Sequence, residues 1–268
     1  MLSVQNKVVV ITGGSDGIGK ALVDLYLMNG AKVATCGRNF DKLNHLQKIY
    51  AGRPLMIYSA DVGSEQDCKN FITATIKLFG TIDILINNAG ISMRALVKDL
   101  HLDTIRKVMD TNFWGTVYCT KYSLEHIIKN KGTVVGVSSI AGYRGLPGRS
   151  GYSASKFAVN GWLEALRTEL LGTGVNVMWV CPGFTTSNIR NAALNKDGKS
   201  QGETPIDESK LMSSDECALH IAKAVQKRKR TIVLTAQGKQ TVLLNRLLPS
   251  LADRLVKRFF FKNGELVQ

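Results

Sequence analysis

The stretch Val8-Val9-Val10-Ile11-Thr12-Gly13-Gly14-Ser15-Asp16-Gly17-Ile18-Gly19 runs five apolar or β-branched residues straight into a glycine-rich turn, and Lys20 to Asn29 then takes up helical spacing. An uninterrupted apolar run of strand length belongs to a strand covered on both faces. Glycines after it permit a tight turn, and the helix that follows offers free N–H groups at its N-terminus, where a pyrophosphate can bind. Gly13, Ser15, Asp16, Gly17, Ile18 and Gly19 are therefore candidate cofactor contacts. A simple packing turn between strand and helix would use glycines in the same way.

Working outward, strand-length runs rich in Val and Ile recur at Lys32 to Cys36, Leu55 to Ser59, Ile82 to Asn87, Gly132 to Ser138 and Asn176 to Cys181. Helical stretches such as Ser64 to Phe79 lie between them. Apolar strands alternating with helices predict an α/β fold, a doubly wound parallel sheet of the Rossmann type, in a single domain. The polar segment from about 185 to 214 includes Gly198, Gly202 and Pro205, lacks a sustained period and reads as a mobile loop after a strand, where such folds bind ligands. The expected division is a core over residues 1–238 and a C-terminal helical extension over 239–268.

With 268 residues, 44% of them apolar, the chain can bury one large core. It contains neither a signal-peptide core nor an apolar run of membrane-spanning length, so a soluble, cytoplasmic protein is expected. Cys36, Cys68, Cys119, Cys181 and Cys217 are scattered, without a CxxC pair, and read as reduced core thiols; no metal site is expected. The net charge of +14 is unevenly spread. From Ile221 onward, eleven Lys or Arg face only Asp253 and Glu265. The cluster Lys227-Arg228-Lys229-Arg230 has no aromatic interleaving or recognition motif, and nucleic-acid binding is not expected.

The second strand ends Cys36-Gly37-Arg38-Asn39, with glycine where an acid would hold a ribose hydroxyl pair. Arg38 would accept a 2′-phosphate, so NADP(H) is expected over NAD(H), although Asp16 in the turn would repel that phosphate. Further on, Tyr152 and Lys156 stand four apart in Gly151-Tyr152-Ser153-Ala154-Ser155-Lys156, at the start of a helical stretch reaching about Leu170. One turn of helix puts both side chains on one face. An adjacent ammonium favours a phenolate, which makes the pair a credible proton donor and acceptor.

In order and spacing, the Thr12-to-Gly19 turn, Asp61-Val62, Asn87-Asn88-Ala89-Gly90, Asn112, Ser138-Ser139, Tyr152 with Lys156, and Pro182-Gly183 resemble the short-chain dehydrogenase/reductase family over roughly Lys7 to Ile189. The resemblance implies hydride transfer between a nicotinamide and a carbonyl or alcohol. Tyr152 would move the proton, and Ser139, in preference to Ser138, would hold the substrate oxygen. Lys156 would also hold the nicotinamide ribose, while Asn112 would anchor a water in a proton relay. Asp61 and Val62 would border the adenine, Asn88, Ala89 and Gly90 would line the cofactor cleft, and Thr185 and Ser187, after Pro182-Gly183, would contact the carboxamide. The resemblance also implies a homodimer or homotetramer.

In the tail, Thr231 to Thr235 is strand-like, and Leu244, Leu247, Leu248, Leu251, Leu255 and Phe259 recur at three- and four-residue steps opposite Arg246, Arg254, Lys257 and Arg258. Pro249 is expected to break the helix, with Ser250 capping the second half and Asp253 in its first turn. Such a face either lies on an anionic membrane or packs on the core or a second subunit. The segment from Leu146 to Tyr152, taken with this tail, is similar to the steroid-dehydrogenase-like and 3-ketosphinganine-reductase-like branches, which implies a hydrophobic ketone. The alternatives are a short 3-oxoacyl or sugar ketone, and a cofactor-binding regulatory protein without turnover.

Overall fold

All five residues of β1 (Val8–Thr12) are buried, because helices cover both of its faces. The structure, a computed structural model, describes residues 2–204, 207 and 211–267. After β1 come α1 (Gly17–Met28), β2 (Lys32–Gly37), α2 (Phe40–Ile49), β3 (Leu55–Ser59), α3 (Glu65–Phe79), β4 (Ile84–Asn87) and α4 (Leu102–Met109). A π-helical turn, Asp110–Trp114, leads into α5 (Gly115–Lys129), followed by β5 (Thr133–Val137), α6 (Ser150–Glu169), β6 (Asn176–Cys181), α7 (Ser214–Gln226) and β7 (Thr231–Val233). The chain ends in α8 (Ala236–Leu247), α9 (Pro249–Phe260) and the short strands β8 (Phe261–Lys262) and β9 (Glu265–Leu266).

The main sheet has the order β3-β2-β1-β4-β5-β6-β7 and every pairing is parallel. Alternation along the strands sends Val9 and Ile11 to one face, with Tyr26 of α1 and Ile221 of α7, and Val10 to the other, with Phe71 of α3 and Leu163 of α6. Each of these large side chains contributes roughly 1.5–3 kcal/mol by leaving water. The doubly wound Rossmann architecture read from the sequence is thus present. The five cysteines are free and buried. The order in which strands are added to the sheet reverses between β1 and β4, and the carboxyl ends of these two strands open the crevice in which such folds bind ligands.

Several sequence expectations change in detail. The fourth strand begins at Ile84, not Ile82, because the Asp83 carboxylate turns back to accept from the Val8 amide at 2.9 Å and from Lys7 Nζ at 2.8 Å. Within the segment 185–214, Leu194 is buried, its amide donates to the Ser92 carbonyl, and its carbonyl accepts from the Arg94 amide. Pro205 of that segment lies outside the described residues. Pro249 does divide the tail, but it stands at the first position of α9 behind Leu248, and Ser250 makes no cap. Asp253 falls beyond the first turn and pairs with Arg144 at 2.5 Å. The tail's first helix starts at Ala236, short of the 238/239 division. In the basic cluster, Arg228 donates to the carbonyls of Lys131 and Gly174 and so closes neighbouring loops.

One side chain fixes the crevice. The buried Thr12 hydroxyl accepts from the amides of both Asn88 and Ala89 at 3.0 Å, joining the end of β1 to the end of β4. Thr12→Val keeps the shape and strands two amides, so it should lower stability by about 2–4 kcal/mol. Thr12→Ser keeps the acceptor and should cost less. Urea unfolding of the two variants decides: a valine variant as stable as the serine variant refutes the role of the hydroxyl.

Candidate active site

α6 places Tyr152 and Lys156 on one face at the end of β5. Lys156 Nζ lies 5.7 Å from the centre of the Tyr152 ring and donates to the Val137 carbonyl at 2.8 Å. Ser139 caps the 3-10 turn Ile140–Gly142, its hydroxyl accepting from the Ala141 amide at 3.1 Å, and that hydroxyl faces Tyr152. Ser138 points inward instead, donating to the Lys156 carbonyl. Burial is the largest influence on both members of the pair. It raises the Tyr152 phenol above its ordinary value, against the opposing effects of Ser139, Arg149 and Arg190, and it lowers Lys156 to about 8. The expected assistance from the Lys156 ammonium therefore does not govern Tyr152; the favourable positive charges come from the two arginines.

Asn112 sits in the π-helical turn, an irregularity common where a helix serves a site. Its side chain brackets Ile91, accepting from the amide at 2.8 Å and donating to the carbonyl at 2.9 Å, and it also donates to Ser155. A side chain on Gly90 would come within 3.2 Å of Asn112 Oδ1 and 3.4 Å of Lys156 Nζ, so the two residues meet over a glycine.

At the other end of the crevice, Gly13 and Gly17 adopt left-handed backbone conformations. A side chain on Gly19 would overlap the Gly13 carbonyl and Asn88, and one on Gly14 would overlap Thr35. These last two glycines are required by the protein's own packing, so the turn alone is not evidence of a ligand. The surrounding cleft is. It encloses about 1190 Å³ and is lined by every sequence-predicted residue except Asn112: Gly13, Ser15, Asp16, Gly17, Ile18 and Gly19, then Arg38, Asp61, Val62, Asn88, Ala89, Gly90, Ser139, Tyr152, Lys156, Pro182, Gly183, Thr185 and Ser187. Ser187 comes up against Gly17, while the Thr185 hydroxyl donates to Gly183. Asp61 accepts from the Gly63 amide, which shapes the turn beside the cleft.

The size of the cleft, the helix N-terminus and the exposed Arg38 fit a dinucleotide phosphate group. Sequence reasoning missed Lys42, which lines the cleft and pairs with Asp16 at 2.5 Å, so the acid that was expected to repel phosphate is engaged by a cation. A lysine in the first turn of a helix opposes the helix dipole, and that unfavourable placement was a usable signal. Also missed were Arg149 and Arg190, neither of which has a local signature; the apolar stripe of the tail was read, but not its place on the cleft wall. Among the described residues, no group of three or more His, Cys, Asp and Glu is placed to hold a metal ion.

The family model for short chain dehydrogenase matches residues 7–198. The chain is similar to the Dehydrogenase/reductase SDR family member 7B of Mus musculus, 33% identical over 262 residues that cover 94% of this chain and 81% of the relative. It is also similar to the 11-beta-hydroxysteroid dehydrogenase A of Arachis hypogaea, 34% identical over 264 residues, 94% of this chain and 74% of that one. Among solved structures, a short chain dehydrogenase/reductase from Burkholderia phymatum in complex with NAD shares the fold with a TM-score of 0.84, covering 94% of this chain and 96% of that chain at 22% identity.

Burial of Lys156 has a measurable consequence. A lysine whose pKa falls from 10.5 to about 8 on folding disfavours the folded state below pH 8, and the penalty fades as pH rises from 8 toward 10.5, where the unfolded chain holds the extra proton. The stability of the protein relative to Lys156→Met should therefore grow by about 2 kcal/mol between pH 8 and 10. Denaturant midpoints across that range check it, and a flat difference contradicts the burial effect.

Proposed function

The chain belongs to the short chain dehydrogenase family, and on that premise we propose that it is an NADP(H)-dependent oxidoreductase interconverting a hydrophobic ketone and its alcohol. The observation that carries the reading is the single cleft joining Arg38 and Lys42, the glycine turn, the Ser139-Tyr152-Lys156 group and the apolar side of the tail.

The α1 N-terminus and the turn would hold the pyrophosphate, Arg38 and Lys42 the 2′-phosphate, and Lys156 the nicotinamide ribose. Bound there, the cofactor supplies or accepts the hydride. Ser139 hydrogen-bonds the substrate oxygen. Tyr152 gives that oxygen its proton during reduction and removes it during oxidation, and burial holds the free phenol protonated. Asn112 positions Gly90 and the backbone at Ile91 beside Lys156, and would also anchor the water of the relay. The NAD of the Burkholderia phymatum structure belongs to that protein. Here Gly37 stands in the acid's place, and two cations line the pocket beside it.

A hydrophobic substrate is supported by Leu244, Leu247, Leu248, Leu255, Phe259 and Phe260 on the cleft wall, and by relatives named as 11-beta-hydroxysteroid dehydrogenases. No helix among the described residues is long and apolar enough to cross a membrane. Leu247 and Leu251 nevertheless remain 64% and 43% exposed, with Arg246, Arg254, Lys257 and Arg258 in the same two helices. We assign this face to peripheral contact of a cytoplasmic protein with anionic membrane. A homodimer or homotetramer formed through it would cover the same leucines. Sedimentation with anionic against neutral vesicles, beside light scattering of the free protein, separates the two.

Two variants test the chemistry. Tyr152→Phe should bind NADPH normally and lose about 10²–10⁴ in the rate of ketone reduction, the usual contribution of a positioned acid. Undiminished NADPH consumption refutes the assignment. The double variant Arg38→Ala/Lys42→Ala should weaken NADPH binding about tenfold or more, as the loss of charge-assisted hydrogen bonds does, and leave NADH within about twofold. Equal effects on both nucleotides contradict a 2′-phosphate site.

A further inference from the structure

Most partly buried arginines of this protein have evident partners. Arg144 pairs with Asp253 and Asn245, Arg167 with Glu164 and the Trp179 ring, and Arg228 with two carbonyls. Arg190, beside the active site, donates to the Thr185 carbonyl at 3.0 Å. Arg149 is different. It stands three residues before Tyr152, at the start of α6, and lines the cleft; its Nε is buried with no hydrogen-bond partner, and no carboxylate among the described residues pairs with it.

The surroundings make this arrangement more costly still. Burial is the largest influence and lowers the Arg149 pKa; Tyr152 opposes it, while the positive charges of Arg190 and Arg94 act in the same direction as burial. Arg149 is partly buried, and a cation held there without a carboxylate partner is unfavourable; retaining one on a cleft wall is accounted for when a ligand completes it. A planar guanidinium with free donors suits an oxyanion with two oxygens in a plane, or a phosphate. The lining of the same cleft also includes an apolar part, formed by Leu244, Leu247, Leu255 and Phe259.

We propose that Arg149 binds an anionic group of the substrate, a carboxylate or a phosphate, so that the substrate is an anionic amphiphile with its carbonyl at Tyr152 and its chain along α8 and α9. The assignment rests on the hydrophobic-ketone reading above and makes it narrower. It gives Arg149 a role in specificity that is separate from its electrostatic effect on Tyr152, because a residue serving only the phenol would treat charged and neutral ligands alike.

The test is binding, with the protein saturated with NADPH so that the cofactor's own phosphates are in place. Dodecanoate, dodecyl phosphate and dodecanol share one chain length and are titrated by calorimetry below their micelle concentrations. The full chain should bind at least one of the two anions about 30-fold or more tighter than dodecanol, the low end of what a buried charge pair loses when one partner is truncated. Which anion leads separates a carboxylate from a phosphate site. Arg149→Gln should abolish the margin while leaving dodecanol and NADPH affinity unchanged, and Arg149→Lys should restore part of it. Dodecanol bound as tightly as both anions, or a margin that survives in Arg149→Gln, overturns the proposal with the hydrophobic cleft intact. Failure of all three ligands to bind overturns the hydrophobic reading and this inference together.

Discussion

The Thr12 hydroxyl, accepting two amides from the segment that follows β4, is the contact on which the site depends. In a sheet buried on both faces, the strands' backbone groups are satisfied by their neighbours, and chemistry is confined to the ends. At the carboxyl ends, β1 and β4 must diverge to open a crevice, which leaves amides that the ladder no longer serves. Thr12 satisfies two of them from one side. From the other, the Asn88 side chain donates back to the carbonyls of Thr12 and Gly13. The crevice is thereby held open by hydrogen bonds instead of by filling, with Gly13, Gly90 and Lys156 in its lining.

The electrostatics of the cleft follow from the same confinement. Lys156 and Tyr152 are both buried, and burial moves each toward its neutral form, the lysine downward to about 8 and the phenol upward. A neutral phenol is a proton donor, and a lysine that titrates near physiological pH exchanges a proton at little cost. Arg149 and Arg190 moderate the rise at Tyr152 from outside the hydrogen-bonded group. At the far end, charge is handled differently: Asp16 and Lys42 are half-exposed and pair in water, which leaves Arg38 beside them on the open cleft wall.

Much of this was legible in the sequence. Continuous apolar runs marked the buried strands because a doubly covered strand has no polar face to interrupt it, and the four-residue step from Tyr152 to Lys156 is a property of any helix. The missed parts are those that depend on tertiary placement. Lys42 joins the cleft because α2 begins directly after β2 and turns its first residues back over the glycine turn. Arg149 comes to line the cleft through the path of the loop before α6, which no local pattern encodes. Ser250 resembled a cap by composition, yet Pro249 takes the first helical position and Leu248 the one before it, moving Asp253 inward to meet Arg144.

The tail illustrates how a surface pattern can be read correctly and still assigned too simply. Its leucine stripe was expected to face either a membrane or a protein surface, and the fold divides it between a cleft and solvent. Thr235 adopts a left-handed backbone, φ 66°, unusual for a β-branched residue, and so turns the chain from β7 back across Gly183. α8 then rests on Ile140 at Gly238, Asn245 donates to the Tyr143 carbonyl, and Phe259 of α9 reaches Phe184 at a ring separation of 6.3 Å. Each contact is made to a loop that also carries a site residue: Ser139 precedes Ile140, and Thr185 follows Phe184. The apolar wall and the Ser139-Tyr152-Lys156 group are thus joined through shared loops, so the packing of α8 and α9 and the placement of Ser139 and Thr185 depend on the same contacts.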